Sequence, residues 1–162
     1  ISGRTTLNFI DQKGVDNIIN NSGVNEQDVF SRWSYASTQS NILNERGTGK
    51  MDFLSKVPQE KLTVINGVAY NPNDAGNYLW GYAMGTMGFT SITARTAAHI
   101  NAWWSAKLSN PGMASNSSNP IIRWIENRSW TGDAIADQRA IQNGLNDSGN
   151  YWKAKKRSFK NL

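Results

Sequence analysis

Between Asn77 and Gly88 the chain sets Leu79, Trp80, Ala83, Met84 and Met87 at helical spacing and also places glycine at 81, 85 and 88. Each glycine in a helix interior costs about 1 kcal/mol relative to alanine. A helix that carries three of them near one face must recover that loss, and the simplest way is close approach of a second backbone, which a Cβ would block. The offsetting gain is expected either in packing or in the geometry of a site.

Just upstream, Leu62-Thr-Val-Ile-Asn-Gly-Val-Ala-Tyr70 sets two β-prone runs around Asn66-Gly67, the pair that accepts the positive φ angles of a type I′ hairpin turn. Asn71-Pro72-Asn73-Asp74 then breaks the ladder, because proline lacks a donor and Asn and Asp bond their own backbone. The next helix is expected to start beside Asp74 and Gly76. Elsewhere the patterning is helical. Leu7, Phe9, Ile10, Val15, Ile18 and Ile19 predict a short helix weakened by Gly14, and Glu26 and Asp28 open a helix over about 25–46. A helix over about 90–107 takes Thr90 or Ser91 as its cap, with Ile92, Ala98, Ile100 and Trp103 as inward candidates. A Ser/Asn/Gly/Pro-rich loop at 109–119 leads to Asn119-Pro120, a cap and first-position pair for a short helix ending near Asn127. The last helix begins at Asp133 and carries Ile135, Ala140, Ile141 and Leu145; after Gly149, Lys153 to Lys160 form a basic tail.

At 162 residues the chain fits one core. The expected fold is a single, mainly α (α+β) domain with one small β-hairpin near 62–70. It divides into an N-terminal helical portion (1–49), a central part (50–146) and a basic C-terminal tail (147–162). Seventeen Lys and Arg against twelve Asp and Glu give a net charge of +5, which favours anionic partners such as nucleic acid, envelope polymers, lipid headgroups or an acidic protein. With no cysteine, disulfides, thiolate nucleophiles and cysteine-ligated zinc are excluded. A single histidine, His99, excludes mechanisms that need two in one chain. The chain starts at Ile1 with no secretory segment following, as expected for a piece of a longer protein.

Asp74-Ala-Gly-Asn-Tyr-Leu-Trp-Gly81, then Gly85, Gly88 and Phe89, and later Asp137-Gln-Arg-Ala-Ile141 with Gly144, resemble the polymorphic toxin type 44 domain. Met51-Asp52-Phe53 resembles the short aspartate-containing patch that precedes the first element. The resemblance covers roughly 50–146. It implies an antibacterial toxin domain that is secreted as part of a larger effector and delivered into a target bacterial cell, with a cognate immunity protein as partner in the producer. The implied activity is that of a nuclease.

Asp52, Asp74 and Asp137 are the acids of these patches. If they converge they can hold Mg²⁺ through oxygen ligands, polarise a phosphate and lower the pKa of a bound water. Taken singly, Asp74 and Asp133 also read as caps or turn formers, and Asp137 as a complement to a helix dipole. Asn77 can orient substrate or water, or cap a helix. His99 lies four residues after Arg95, so a base and a permanent cation share one helical face, an arrangement suited to metal-independent cleavage of RNA through its 2′-hydroxyl. The plainer role for His99 is a core-edge histidine with a satisfied hydrogen bond. Gln138, Arg139, Trp80 and Asp52 complete the candidates as substrate contacts. Trp103, Trp104, Trp124, Trp130 and Trp152 mixed with basic residues can stack bases, although tryptophans more often belong to the core.

The first expectation is phosphodiester cleavage, RNA before DNA, with Asp74, Asn77, Asp137, Arg95 and His99 as catalytic candidates. The alternative is an envelope-directed toxin, either cutting cell-wall glycan with two carboxylates or permeabilising a membrane; a third is a domain that only binds its target. A membrane span is not expected, since Tyr78 to Phe89 makes only about 18 Å of helix against roughly 30 Å of hydrocarbon.

Overall fold

The structure is a computed structural model, described here for residues 6–30, 49–98 and 135–160. It is mainly helical with a small β part. In chain order the labelled elements are β1 (Leu7–Ile10), α1 (Gln12–Ser22), α2 (Glu26–Phe30), a 3-10 turn (Phe53–Lys56), β2 (Leu62–Ile65), β3 (Val68–Tyr70), α3 (Pro72–Thr86) and α4 (Ile135–Lys160). Residues 91–98 are also helical.

The hairpin forms as its turn residues require. Asn66 and Gly67 have φ of 50° and 81°, and β2 and β3 pair antiparallel with Ile65 opposite Val68. The first apolar cluster departs from its reading as one short helix. Leu7–Ile10 is a strand that adds parallel to β2, with Leu7 opposite Leu62 and Ile10 opposite Ile65, which gives a three-stranded sheet in the order β1-β2-β3. Only then does α1 begin, where the Asp11 carboxylate accepts from the Gly14 amide at 2.8 Å. Gly14 lies within α1 and does not end it; Gly23, at φ 63°, does.

The helix expected beside Asp74 starts two residues earlier, because Asn71 caps it and Pro72 takes the first-turn position where a missing N–H costs nothing. The side-chain oxygen of Asn71 accepts from the Asp74 amide at 2.9 Å. At the other end Gly88, at φ 86°, terminates the helix and takes no part in its packing. Phe89 N–H donates to Met84 and Gly88 N–H to Gly85, the paired bonds of a Schellman closure.

The core sits between α3 and α4, with the sheet and the 3-10 turn against α3. Tyr78, Leu79, Tyr82, Ala83, Met84 and Ile141 are fully buried. The two long helices run parallel: Asn77 meets Asp137, Gly81 meets Ile141 and Gly85 meets Ser148. The expected close approach is real and reciprocal. A methyl group at Gly81 would come 2.9 Å from Ile141 Cα, one at Gly85 2.8 Å from Ser148 Cβ, and one at Gly144 2.7 Å from the Tyr82 nitrogen.

Two further expectations change. Thr90 does act as a cap for residues 91–98, accepting from the Thr93 amide at 3.3 Å, but Ile92 is 76% exposed and Ala94 is the buried residue. The last helix passes straight through Gly149, and its backbone stays helical to Lys160, so the basic stretch continues α4 and does not form a separate tail. The remainder of the helix expected over 25–46, the 109–119 loop, the Asn119-Pro120 helix and the start at Asp133 lie outside the described residues.

Candidate functional site

Parallel packing brings the amino ends of α3 and α4 to the same end of the molecule, and that is where Asp74, Asn77 and Asp137 meet. Asp74 is the third residue of α3 and Asp137 lies in the first turn of α4. Their carboxyl groups are in hydrogen-bond contact. An amide holds each acid: Asn71 Nδ2 donates to Asp74 Oδ2 at 2.7 Å, and Asn77 Nδ2 donates to Asp137 Oδ1 at 2.8 Å. Burial, followed by the bond to Asp137 and its charge, raises the pKa of Asp74 above its ordinary value; the Asn71 amide opposes that rise. The Asp74 carboxyl therefore keeps its proton to higher pH than a free aspartate.

Arg95 Nε donates to Gln138 Oε1 at 2.8 Å, and Ser91 Oγ makes a close hydrogen bond to Gln142 Oε1. Helix 91–98 therefore runs antiparallel to α4, and Arg95 is anchored one residue from Asp137. Gln138 is buried in this contact, whereas Arg139 is exposed on α4. Trp80, a candidate substrate contact, is 7% exposed and packs in the core. Asp52 stands at the amino end of the 3-10 turn, and its neighbours are local: burial raises its pKa, while Ser55, Lys56 and Leu54 pull it down. Among the described residues no group of three or more His, Asp or Glu is placed to hold a metal ion, so the acids that converge are the pair Asp74 and Asp137, without Asp52. His99 and Trp103, Trp104, Trp124 and Trp130 lie outside the described residues, as does the side chain of Trp152.

Several polar residues that the sequence did not single out line the same seam. Tyr70, the last residue of β3, precedes the Asn71 cap; its hydroxyl accepts from Asn143 Nδ2 of α4 at 3.0 Å, and its ring lies 5.5 Å from that of Tyr78. Burial and the charges of Asp147 and Asp74 keep the Tyr70 phenol protonated to higher pH than usual, against the pull of Asn143. The Tyr78 hydroxyl donates to Asp147 Oδ2 at 2.6 Å, and Asn66, at the hairpin tip, donates to the same oxygen at 2.8 Å. Tyr82 donates to Asp16 of α1 at 2.7 Å and accepts from Gln12. No local pattern announces these hydrogen bonds, since each joins residues 54 or more positions apart except that of Asn66 with Tyr78.

Comparison with known protein families, with characterised proteins and with solved structures finds no match for this chain. No helix among the described residues is long and apolar enough to cross a membrane.

Proposed function

We propose that the chain is the toxic domain of a secreted bacterial effector and that it cleaves RNA phosphodiester bonds at the Asp74–Asn77–Asp137 site. The observation that carries this reading is the contact between two carboxyl groups supplied by distant parts of the chain. Acid and base that act from opposite sides of a sugar need carboxyls roughly 5–9.5 Å apart. Groups in hydrogen-bond contact cannot straddle a glycosidic bond in that way, which counts against the glycan-cutting alternative. Such a pair can act from one side, sharing either a proton or a cation.

The donor set suits Mg²⁺, which takes one or two carboxylates and leaves its other positions to water and substrate phosphate. Asp74 and Asp137 would hold it, and when bound it supplies a polarised phosphate and a water of lowered pKa. Asn77 and Asn71 fix the two carboxylates with one oxygen each already committed. Arg95, held by Gln138, places a permanent cation on the adjoining helix. The net charge of +5 draws a polyanion toward the domain. The resemblance to the type 44 toxin domain supplies the biological setting, with an immunity protein as partner in the producing cell.

The test incubates the purified domain with total RNA, plasmid DNA, cell wall and dye-loaded vesicles, each with and without EDTA. The expected result is RNA loss that EDTA prevents and that Asp74→Asn and Asp137→Asn both abolish, while Asp52→Asn retains it. Intact RNA would overturn the proposal. RNA cleavage indifferent to EDTA and to both substitutions would transfer the chemistry to His99, and solubilised wall or leaking vesicles would favour the envelope reading.

A further inference from the structure

We infer that Tyr70 is a further substrate-contacting residue of this site: its hydroxyl, turned by Asn143, donates a hydrogen bond to a non-bridging oxygen of the bound phosphodiester. The inference rests on the phosphodiesterase reading above and adds to it a donor that carries no charge.

The argument begins with what a phenol can do. A tyrosine hydroxyl has one proton to give and can accept at its oxygen. At Tyr70 the oxygen is already used, since it accepts from Asn143 Nδ2 at 3.0 Å. That bond leaves the proton pointing elsewhere, and among the described residues it has no acceptor. Tyr70 as a residue is only 6% exposed. Buried donors usually find acceptors, and one that does not is an exception to be explained. Its neighbour Tyr78, fully buried, gives its proton to Asp147 at 2.6 Å. The contrast separates a structural tyrosine from one with capacity in reserve.

Position supplies the second half. Tyr70 immediately precedes Asn71, whose side chain clasps Asp74 through both its oxygen and its nitrogen. Asn143 belongs to the same helix as Asp137. The Tyr70–Asn143 bond thus ties the residue before the α3 cap to α4, at a point six residues beyond Asp137. A phosphate that meets two acids needs donors around it, and a neutral donor stabilises its oxygens without competing for the carboxylates as a lysine would.

Two variants test this with the whole chain. Tyr70→Phe removes the proton and keeps the ring. Asn143→Asp keeps the tyrosine but supplies a carboxylate that accepts the hydroxyl proton and turns it away from substrate. Both are expected to lower kcat/KM on RNA roughly tenfold or more, as the loss of a hydrogen bond to a charged group does, with little change in thermal midpoint. A binding arm works without turnover: inorganic phosphate with Mg²⁺ is titrated against protein whose Asn143 side-chain amide is followed by NMR. The expected result is a phosphate-dependent shift in the wild type and at least severalfold weaker binding in Tyr70→Phe. If both variants cleave RNA and bind phosphate like the wild type, the role of Tyr70 is refuted and the phosphodiesterase reading stands. If activity falls only in step with a lowered midpoint, Tyr70 is a brace for the hairpin and the inference is again wrong. A wild type that neither binds phosphate nor cleaves RNA overturns both claims.

Discussion

Replacing Gly144 by alanine tests the helix contact on which the site is built. The added carbon would lie 2.7 Å from the Tyr82 nitrogen and 3.0 Å from the Tyr78 carbonyl carbon, so the first contact is 0.7 Å short of the 3.4 Å at which ordinary contact begins. The obstructing atoms are main chain of α3 and cannot rotate aside. The helices must part, loosening the packing of Tyr78, Tyr82 and Ile141, all fully buried. Overpacking of this kind costs about 1–3 kcal/mol, and a rigid obstacle puts Gly144→Ala at the upper end. Removing a helical glycine returns about 1 kcal/mol, which leaves a net loss of about 2 kcal/mol and a midpoint lower by roughly 4–8 °C for a chain of this size. Gly149, on the same helix, has nothing within 4 Å of a built Cβ. Gly149→Ala should therefore gain about 0.5–1 kcal/mol and raise the midpoint by roughly 1–4 °C. Thermal unfolding followed by circular dichroism reads both. Equal shifts for the two variants, or a Gly144→Ala protein as stable as the wild type, would refute the claim that this seam is set by backbone contact.

Asp74→Asn should raise the thermal midpoint near pH 7. Because the folded pKa of Asp74 is raised, the stability contributed by its proton is complete below the ordinary value of 3.8 and is lost as pH climbs through the raised value. The advantage of the variant should accordingly vanish in midpoints measured below that pH. Tyr78→Phe removes the bond to Asp147 and should cost about 1.5–3 kcal/mol, the range for a charge-assisted hydrogen bond, in urea unfolding. Gly67→Ala forces a side chain onto φ 81° and should cost about 1–2 kcal/mol, whereas Gly85→Ala, aimed at Ser148, should destabilise through collision; a double-mutant cycle with Ser148→Ala should recover part of the second loss and none of the first.

How far the sequence reached depended on whether a signal was local. The hairpin was legible because Asn66-Gly67 encodes its own turn, and the need for a partner at Gly81 and Gly85 was legible because the cost of those glycines is paid within one helix. Which backbone answers them was not. Gly144 and Ser148 become the other half of the contact only once α3 and α4 lie parallel. Strand β1 was misread because Leu7, Phe9 and Ile10 merge with the spacing of α1, and a four-residue strand earns its place only by pairing with β2, 55 positions away. Gly149 reads as a stop, yet the helix crosses it, since nothing there supplies a left-handed residue or another closure. The pairing of Asp74, Asn77 and Asp137 was anticipated; that Asp52 makes no metal-holding group of three with the two acids was not, because spacing along a chain does not fix distances through space. Tyr70 and Asn143 gave no signal, being ordinary residues until the fold makes them neighbours.

Parallel helices have a consequence for the route of the chain. A strand of polypeptide that leaves the far end of α3 must make a return journey before it can enter α4 in the same direction, and residues 91–98 are the visible part of it. Their register, with Ser91 facing Gln142 and Arg95 facing Gln138, shows the path heading homeward. By Ala98 the polypeptide has come back to the pole of the molecule where the two acids touch.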